Sequence, residues 1–199
     1  MLSAWDFPQS LNLGGVEYKI RSDYRDIINL LIALADPDMK GDSREETAYI
    51  KGMLILEILY EDYTQIPNEH LQEAIDKAVQ FIDMCADEDS KNRNHIRIMD
   101  WEQDANLIIP AVNRVIGKEI RAERYIHWWT FLSAYLEIGE CSFSHILNIR
   151  TKKSKGKKLD KWEEEYIRSN PNVLLKRKYT EQEQKDIDEE SNALADLLG

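Results

Sequence analysis

The sequence predicts an all-α fold: a multi-helix bundle with a short N-terminal β-hairpin and a loosely attached acidic C-terminal helix. Three observations carry this reading. Apolar residues recur at spacings of three and four through successive windows, the period of a helix with one buried face. Only eight glycines occur in 199 residues, few for a sandwich or barrel with many tight turns. Residues 125–150 then hold the densest apolar stretch, with two adjacent tryptophans, a phenylalanine and a tyrosine inside eleven positions. At 100° per residue Tyr125, Trp128, Trp129, Leu132, Tyr135 and Leu136 share one helical face, with His127, Thr130, Ala134 and Glu137 opposite. Each large side chain on that face contributes roughly 1.5–3 kcal/mol when buried, so the window is expected to supply core, and Gly139 to end it.

In chain order, Leu11 and Leu13, then Val16, Tyr18 and Ile20, alternate about Gly14 and Gly15, a two-residue hairpin pattern. An isolated hairpin is marginal in water, so this one is expected to pack on the helices. Ser22 is the expected cap of a first helix through Ala35, with Tyr24, Ile27, Ile28, Leu31 and Leu34 inward. A second helix over 44–61, acidic at its start and apolar almost all round at 53–59, is expected at the centre of the bundle, with Gly52 either admitting a neighbour or tolerated as a weak spot. Asn68 caps a third, whose stripe is Leu71, Ala74, Ile75, Ala78, Ile82 and Cys85, before a polar loop over 86–94. Asp100 opens a fourth with Trp101, Ala105, Ile108, Val112 and Val115, in which Pro110 predicts a kink or a split. The aromatic helix follows, and Ser142 is the expected cap of a helix packing Phe143, Ile146, Leu147 and Ile149. The expected core aromatics and leucines are thus Trp101, Trp128, Trp129, Leu132, Tyr135, Leu136 and Phe143. Composition shifts at Arg150. One domain is expected over 1–170, with the hairpin in 1–21, core helices in 22–150, a basic helical extension in 151–170, and an acidic tail in 171–199.

A net charge of −11 repels nucleic acid and anionic lipid over most of the surface, so neither is an expected partner. No apolar run approaches the ~20 residues of a membrane span. Two cysteines and no signal-peptide pattern at the N-terminus point to a reducing cytoplasm. Chemistry-bearing patterns are sparse. Asp100 and Asp104, one helical turn apart, could hold a cation, but first-turn carboxylates that cap free amides are the stronger reading. Cys141 and His145 have the spacing of a zinc pair without the second pair that a four-ligand site needs. No phosphate-loop, dinucleotide, nucleophile-elbow or metalloprotease motif occurs, so no catalytic residue, metal or cofactor is expected and the chain is read as no enzyme. For the run 150–161, a solvated face or a match to the acidic tail ranks first, an acidic protein partner second, and nucleic acid last, because no aromatic is interleaved to stack a base.

An ordered set of motifs carries a resemblance. Gly15 to Ile27 contains G-x-x-Y-x-I and D-Y-R-D-I elements; then come W-E-Q-D at 101–104, A-V-N-R-V-I-G at 111–117, H-W-W-T-F-L at 127–132, the I-x-x-I-R helix ending at Arg150, and G-K-K-L-D-K at 156–161. In this order, over most of residues 10–170, the chain resembles the bacteriophage "gene product fifteen" family of long-tailed phages and prophages. Its members are similar to products encoded ahead of the tape-measure gene, the position of tail assembly chaperones. The resemblance implies a non-enzymatic protein of the bacterial host's cytoplasm, absent from the mature virion, that binds the tape-measure protein and assists tail-tube assembly. The major tail protein and a second copy of the chain are further candidate partners, and a structural tail or connector component is the alternative. The motifs are packing motifs, so no active site transfers. The expected partner contacts are Lys152, Lys153, Lys155, Lys157, Lys158, Lys161, Trp162 and Tyr166, because this region adjoins the core yet follows its apolar periodicity loosely.

Overall fold

The computed structural model describes residues 5–84 and 97–198, with side chains as far as Glu189. Cys85 and the polar loop expected at 86–94 lie outside the described residues. The architecture is mostly all-α, with a single two-stranded antiparallel hairpin at the N-terminus among the described residues. None of the described helices is long and apolar enough to cross a membrane.

Strands β1 (Ser10–Leu13) and β2 (Val16–Lys19) pair with Leu11 opposite Tyr18 and Leu13 opposite Val16. Gly14 and Gly15 both take positive φ, 55° and 91°, as a primed two-residue turn requires. A Cβ at Gly14 would also run into the His70 ring. Leu11 and Leu13 are buried, and the hairpin packs on the helices as expected: β1 lies on α3 (Leu71–Ile82), while Ile20 bridges to Tyr60. Arg21 fixes that junction by donating to the carbonyls of Ile58 at 2.8 Å and Tyr60 at 2.6 Å, which end α2 (Arg44–Leu59).

Helix α1 (Tyr24–Leu34) is capped by Asp23, whose carboxylate accepts the Arg25 amide at 2.9 Å. Ser22, the expected cap, is instead buried and pairs its hydroxyl with Tyr125 at 2.8 Å. The displacement has a physical reason. Residues 22–24 run beside 126–128, Trp128 N–H donating to Ser22 O and Tyr24 N–H to Ile126 O, so Ser22 is already committed to another segment. Helix α2 lies against α1 and α3, but only its second half is interior. Tyr49 is 70% exposed, whereas Gly52, Ile55, Leu56 and Leu59 are buried, which corrects the expected central position. Gly52 does admit a neighbour: a Cβ there would stand 2.8 Å from Ile75 Cδ1.

Helix α4 (Ala105–Ile116) starts five residues after Asp100 and runs unbroken through Pro110 to Gly117, which closes it at φ 79°. Helix α5 (Trp128–Leu136) is shorter than the aromatic stretch that contains it. The interior side is Trp128, Trp129, Phe131 and Ala134, with Leu132 and Tyr135 half-buried. Leu136 is 64% exposed and Tyr125 is exposed before the helix begins, so both leave the expected core face. His127 is corrected in the opposite sense. It is buried and caps α5, Nδ1 accepting the Trp129 amide at 3.1 Å while Nε2 donates to Pro8 O at 2.9 Å.

The two indoles do more than fill space. Trp128 Nε1 donates to Ile82 O at 2.8 Å and Trp129 Nε1 to Phe81 O at 2.7 Å. These carbonyls belong to the last turn of α3, where Phe81 O also accepts the Met84 amide at 3.2 Å, so adjacent tryptophans help to close the end of a neighbouring helix. Trp101 is half-buried beside them, its ring centroid 5.2 Å from Tyr135 and 6.4 Å from Trp128.

Candidate functional site: the lysine-rich turn between two helices

Helix α6 (Ser142–Ser154) is capped at Cys141, whose amide donates to Ser144 Oγ at 2.9 Å, one residue ahead of the expected Ser142. His145 is exposed and Cys141 half-buried, and they form no metal-ligating group with a third residue among those described. Phe143, Ile146 and Ile149 are buried, and the helix continues into the basic run as far as Ser154. That continuation puts Arg150 on the inner face.

Arg150 is 5% exposed. Its guanidinium grips Asp104 through two bonds, 2.6 and 2.8 Å, and donates to Val173 O at 2.6 Å and Ile98 O at 3.1 Å. A planar fork with several donors suits such a joint where a lysine would not. The first residue of the run is therefore a structural bolt and not part of a solvated face. Asp104 also accepts the Asp100 amide at 3.0 Å, and Asp100 accepts the amides of Glu102 and Gln103 at 3.0 and 2.8 Å. Burial pushes the Asp100 carboxyl up, but the Gln103 amide with the Lys178 and Arg97 cations outweighs it and draws the group down to about 2. Both carboxylates weighed for a cation are occupied by protein donors.

Lys152 turns to its own extension, 2.8 Å from Glu163 and 3.1 Å from Asp160, and Glu163 holds its ammonium above the usual lysine range. Helix α7 (Lys161–Ser169) opens on the same pair, Glu163 accepting the Asp160 amide at 2.8 Å. Glu163 is 1% exposed, so α7 rests its inner side on a buried carboxylate and Lys152 faces inward. The remaining predicted contacts face out. Lys153, Lys155, Lys157, Lys158 and Lys161 are exposed and make no ion pair among the described residues. Trp162 is 55% exposed and Tyr166 38% exposed on the adjoining side of α7. The structure thus brings seven of the eight predicted contacts onto one exposed stretch and turns the eighth inward.

The segment after α7 is not a free tail. Val173 is buried, Gln103 donates to the carbonyls of Asn172 and Leu174 at 3.0 and 2.9 Å, and it accepts the Lys176 amide at 3.0 Å. Lys178 reaches Asp100 at 3.1 Å, and Glu181 N–H meets the Asp38 carboxylate at 3.0 Å. Residues 171–178 form a strap across the start of α4, and within the tail expected at 171–199 the carboxylate-rich part is α8 (Glu181–Leu198).

A second feature escaped the sequence. Tyr24, Ile28, Ile109, Trp101 and Phe131, with Arg25 and Asn29, line an open, mostly apolar cleft of about 190 Å³ between α1 and α4. Its lining comes from distant segments that each read as ordinary core, so no local signal marked it.

One comparison identifies a family. The model for the family described as "Bacteriophage Gp15 protein" matches residues 5–180. No curated protein and no solved structure is matched by this chain. The chain belongs to the bacteriophage Gp15 family, and the match ends where α8 begins.

Proposed function

We propose that this member of the Gp15 family is a phage tail assembly chaperone, made in the host cytoplasm and left out of the finished particle, that binds the tape-measure protein while the tail tube forms around it. The family match supports a role in phage structure or assembly. The observation that carries the finer reading is the exposed stretch on α6 and α7, where Trp162 and Tyr166 follow five lysines that make no ion pair among the described residues, on a chain that is otherwise strongly acidic. Aromatic groups with a polar edge are common anchors for partner helices, and flanking cations select acidic residues beside the partner's apolar stripe. A long helical partner with apolar faces not yet enclosed is kept soluble when a charged protein covers them. The reading assigns no catalytic residue and no cofactor.

Co-expression with the tape-measure protein tests it. The partner is expected to stay soluble and co-purify with the wild-type chain, and Trp162→Ala with Tyr166→Ala is expected to weaken capture by tenfold or more, about 1.4 kcal/mol or more. A tape-measure protein equally soluble alone would overturn chaperoning. Mass spectrometry of purified particles checks the other half: the chain at stoichiometric amounts in the virion would make it a structural tail or connector component.

A further inference from the structure

The acidic arm and the lysine-rich turn are complementary in charge, and no ion pair joins them among the described residues. Residues 181–190 hold six carboxylates against one lysine, and residues 181–189 are exposed throughout. Asp186, Asp188 and Glu189 make no ion pair among the described residues. The strap fixes where the arm leaves the body. From Val173 under Arg150 it passes Gln103, Asp100 and Asp38, so α8 departs beside the end of α1, in a cleft lined by Ile32, Asp36 and Pro37. With 18 residues the helix spans about 27 Å.

We propose that α8 of one copy docks on the lysine-rich turn of a second copy, the two copies exchanging arms. Two chains of net charge −11 repel over most approaches, and the surface at 153–161 offers a carboxylate-rich helix five clustered lysines that make no ion pair among the described residues. Asp186 and Glu189, three residues apart on one face of α8, then meet the cluster of Lys155, Lys157 and Lys158. Reciprocal exchange closes the pair as a dimer. The family match stops at residue 180, where the arm begins. The exchange covers the face proposed for the tape-measure protein, but it is measured on the chain alone, so either proposal can fail while the other stands.

Sedimentation velocity of the full chain across the micromolar range tests this. At ionic strength near 0.05 M the wild type is expected to form a dimer, with the dissociation constant rising at least tenfold on moving to about 0.5 M, where charges more than a few ångströms apart are screened. The triple change Lys155→Glu, Lys157→Glu, Lys158→Glu is expected to give a monomer, and so is Asp186→Lys, Asp188→Lys, Glu189→Lys. Mixed one to one, the two variants again carry opposite charges on arm and turn, and a heterodimer is expected to return, which also shows that both are folded. A wild type that stays monomeric, a dimer indifferent to salt and to both reversals, or a mixture that fails to associate overturns the exchange.

Discussion

Arg150 and Lys157 stand seven residues apart in one basic run, and their surroundings are opposite. Around Arg150 every neighbouring polar group is spoken for: a bidentate carboxylate and two carbonyls converge on a guanidinium that water barely reaches. Around Lys157 the turn is open, with cations that have no partner among the described residues. The difference teaches that like charges in sequence can have unlike roles, one holding helices together and the other meeting whatever approaches from outside. Arginine does the first elsewhere in the molecule as well, Arg21 at the end of α2 and Arg25 on the carbonyls of Ile120 and Glu123.

The contrast can be broken at the buried end first. Arg150→Met strands the Asp104 carboxylate in the interior and is expected to cost about 3–5 kcal/mol in urea unfolding, whereas Arg150→Met with Asp104→Leu should recover much of it. A single change that costs under about 1 kcal/mol would mean that the joint is ornamental. Next in size, Trp128→Phe keeps most of the ring but removes the indole donor from the Ile82 carbonyl, an expected loss of about 1–3 kcal/mol. Thermal or chemical melts of Trp128→Phe and Trp129→Phe against wild type give the comparison.

Two pH limbs sharpen it further. Burial depresses the His127 imidazole below 6.5 in the folded chain, against the smaller upward pull of its bond to Pro8. The unfolded chain therefore takes up the proton first. Stability from this group is complete above pH 6.5 and declines as pH falls below it, because protonation of Nδ1 also removes the acceptor for the Trp129 amide. His127→Asn, which retains a capping acceptor, is expected to flatten that limb. Asp100 acts lower. Its folded value near 2 lies beneath the ordinary 3.8, so its contribution is present above 3.8 and lost as pH falls through about 2, and Asp100→Asn should remove that separate acid limb. The smallest expected effect lies at the open end of the run. Alanine at Lys155, Lys157 and Lys158 together should change folding stability by less than about 0.5 kcal/mol while weakening association.

Much of the architecture was readable from residue order. Gly14 and Gly15 between alternating apolar residues marked the hairpin, the three-and-four spacing marked the helices, and the succession from W-E-Q-D to the lysine-rich segment marked the family. These are local properties: a turn needs positive φ at its own residues, and an amphipathic helix carries its period within itself. Trp162 and Tyr166 could likewise be picked out as less buried than Trp128, because their surroundings lack the apolar period. What the order of residues left open depended on partners far along the chain. Asp104 lies 46 residues before Arg150, Trp128 lies 46 after the carbonyl it closes, and Gln103 reaches segments about 70 residues away. Whether a histidine is solvated or buried, a lysine paired or free, or a tail loose or strapped is set by which groups folding brings within hydrogen-bond reach. The sequence by itself determined the helical class, the hairpin and the family. The tertiary structure alone decided which charges became interior bolts and which stayed at the surface, because desolvation and pairing act through space without regard to distance along the chain.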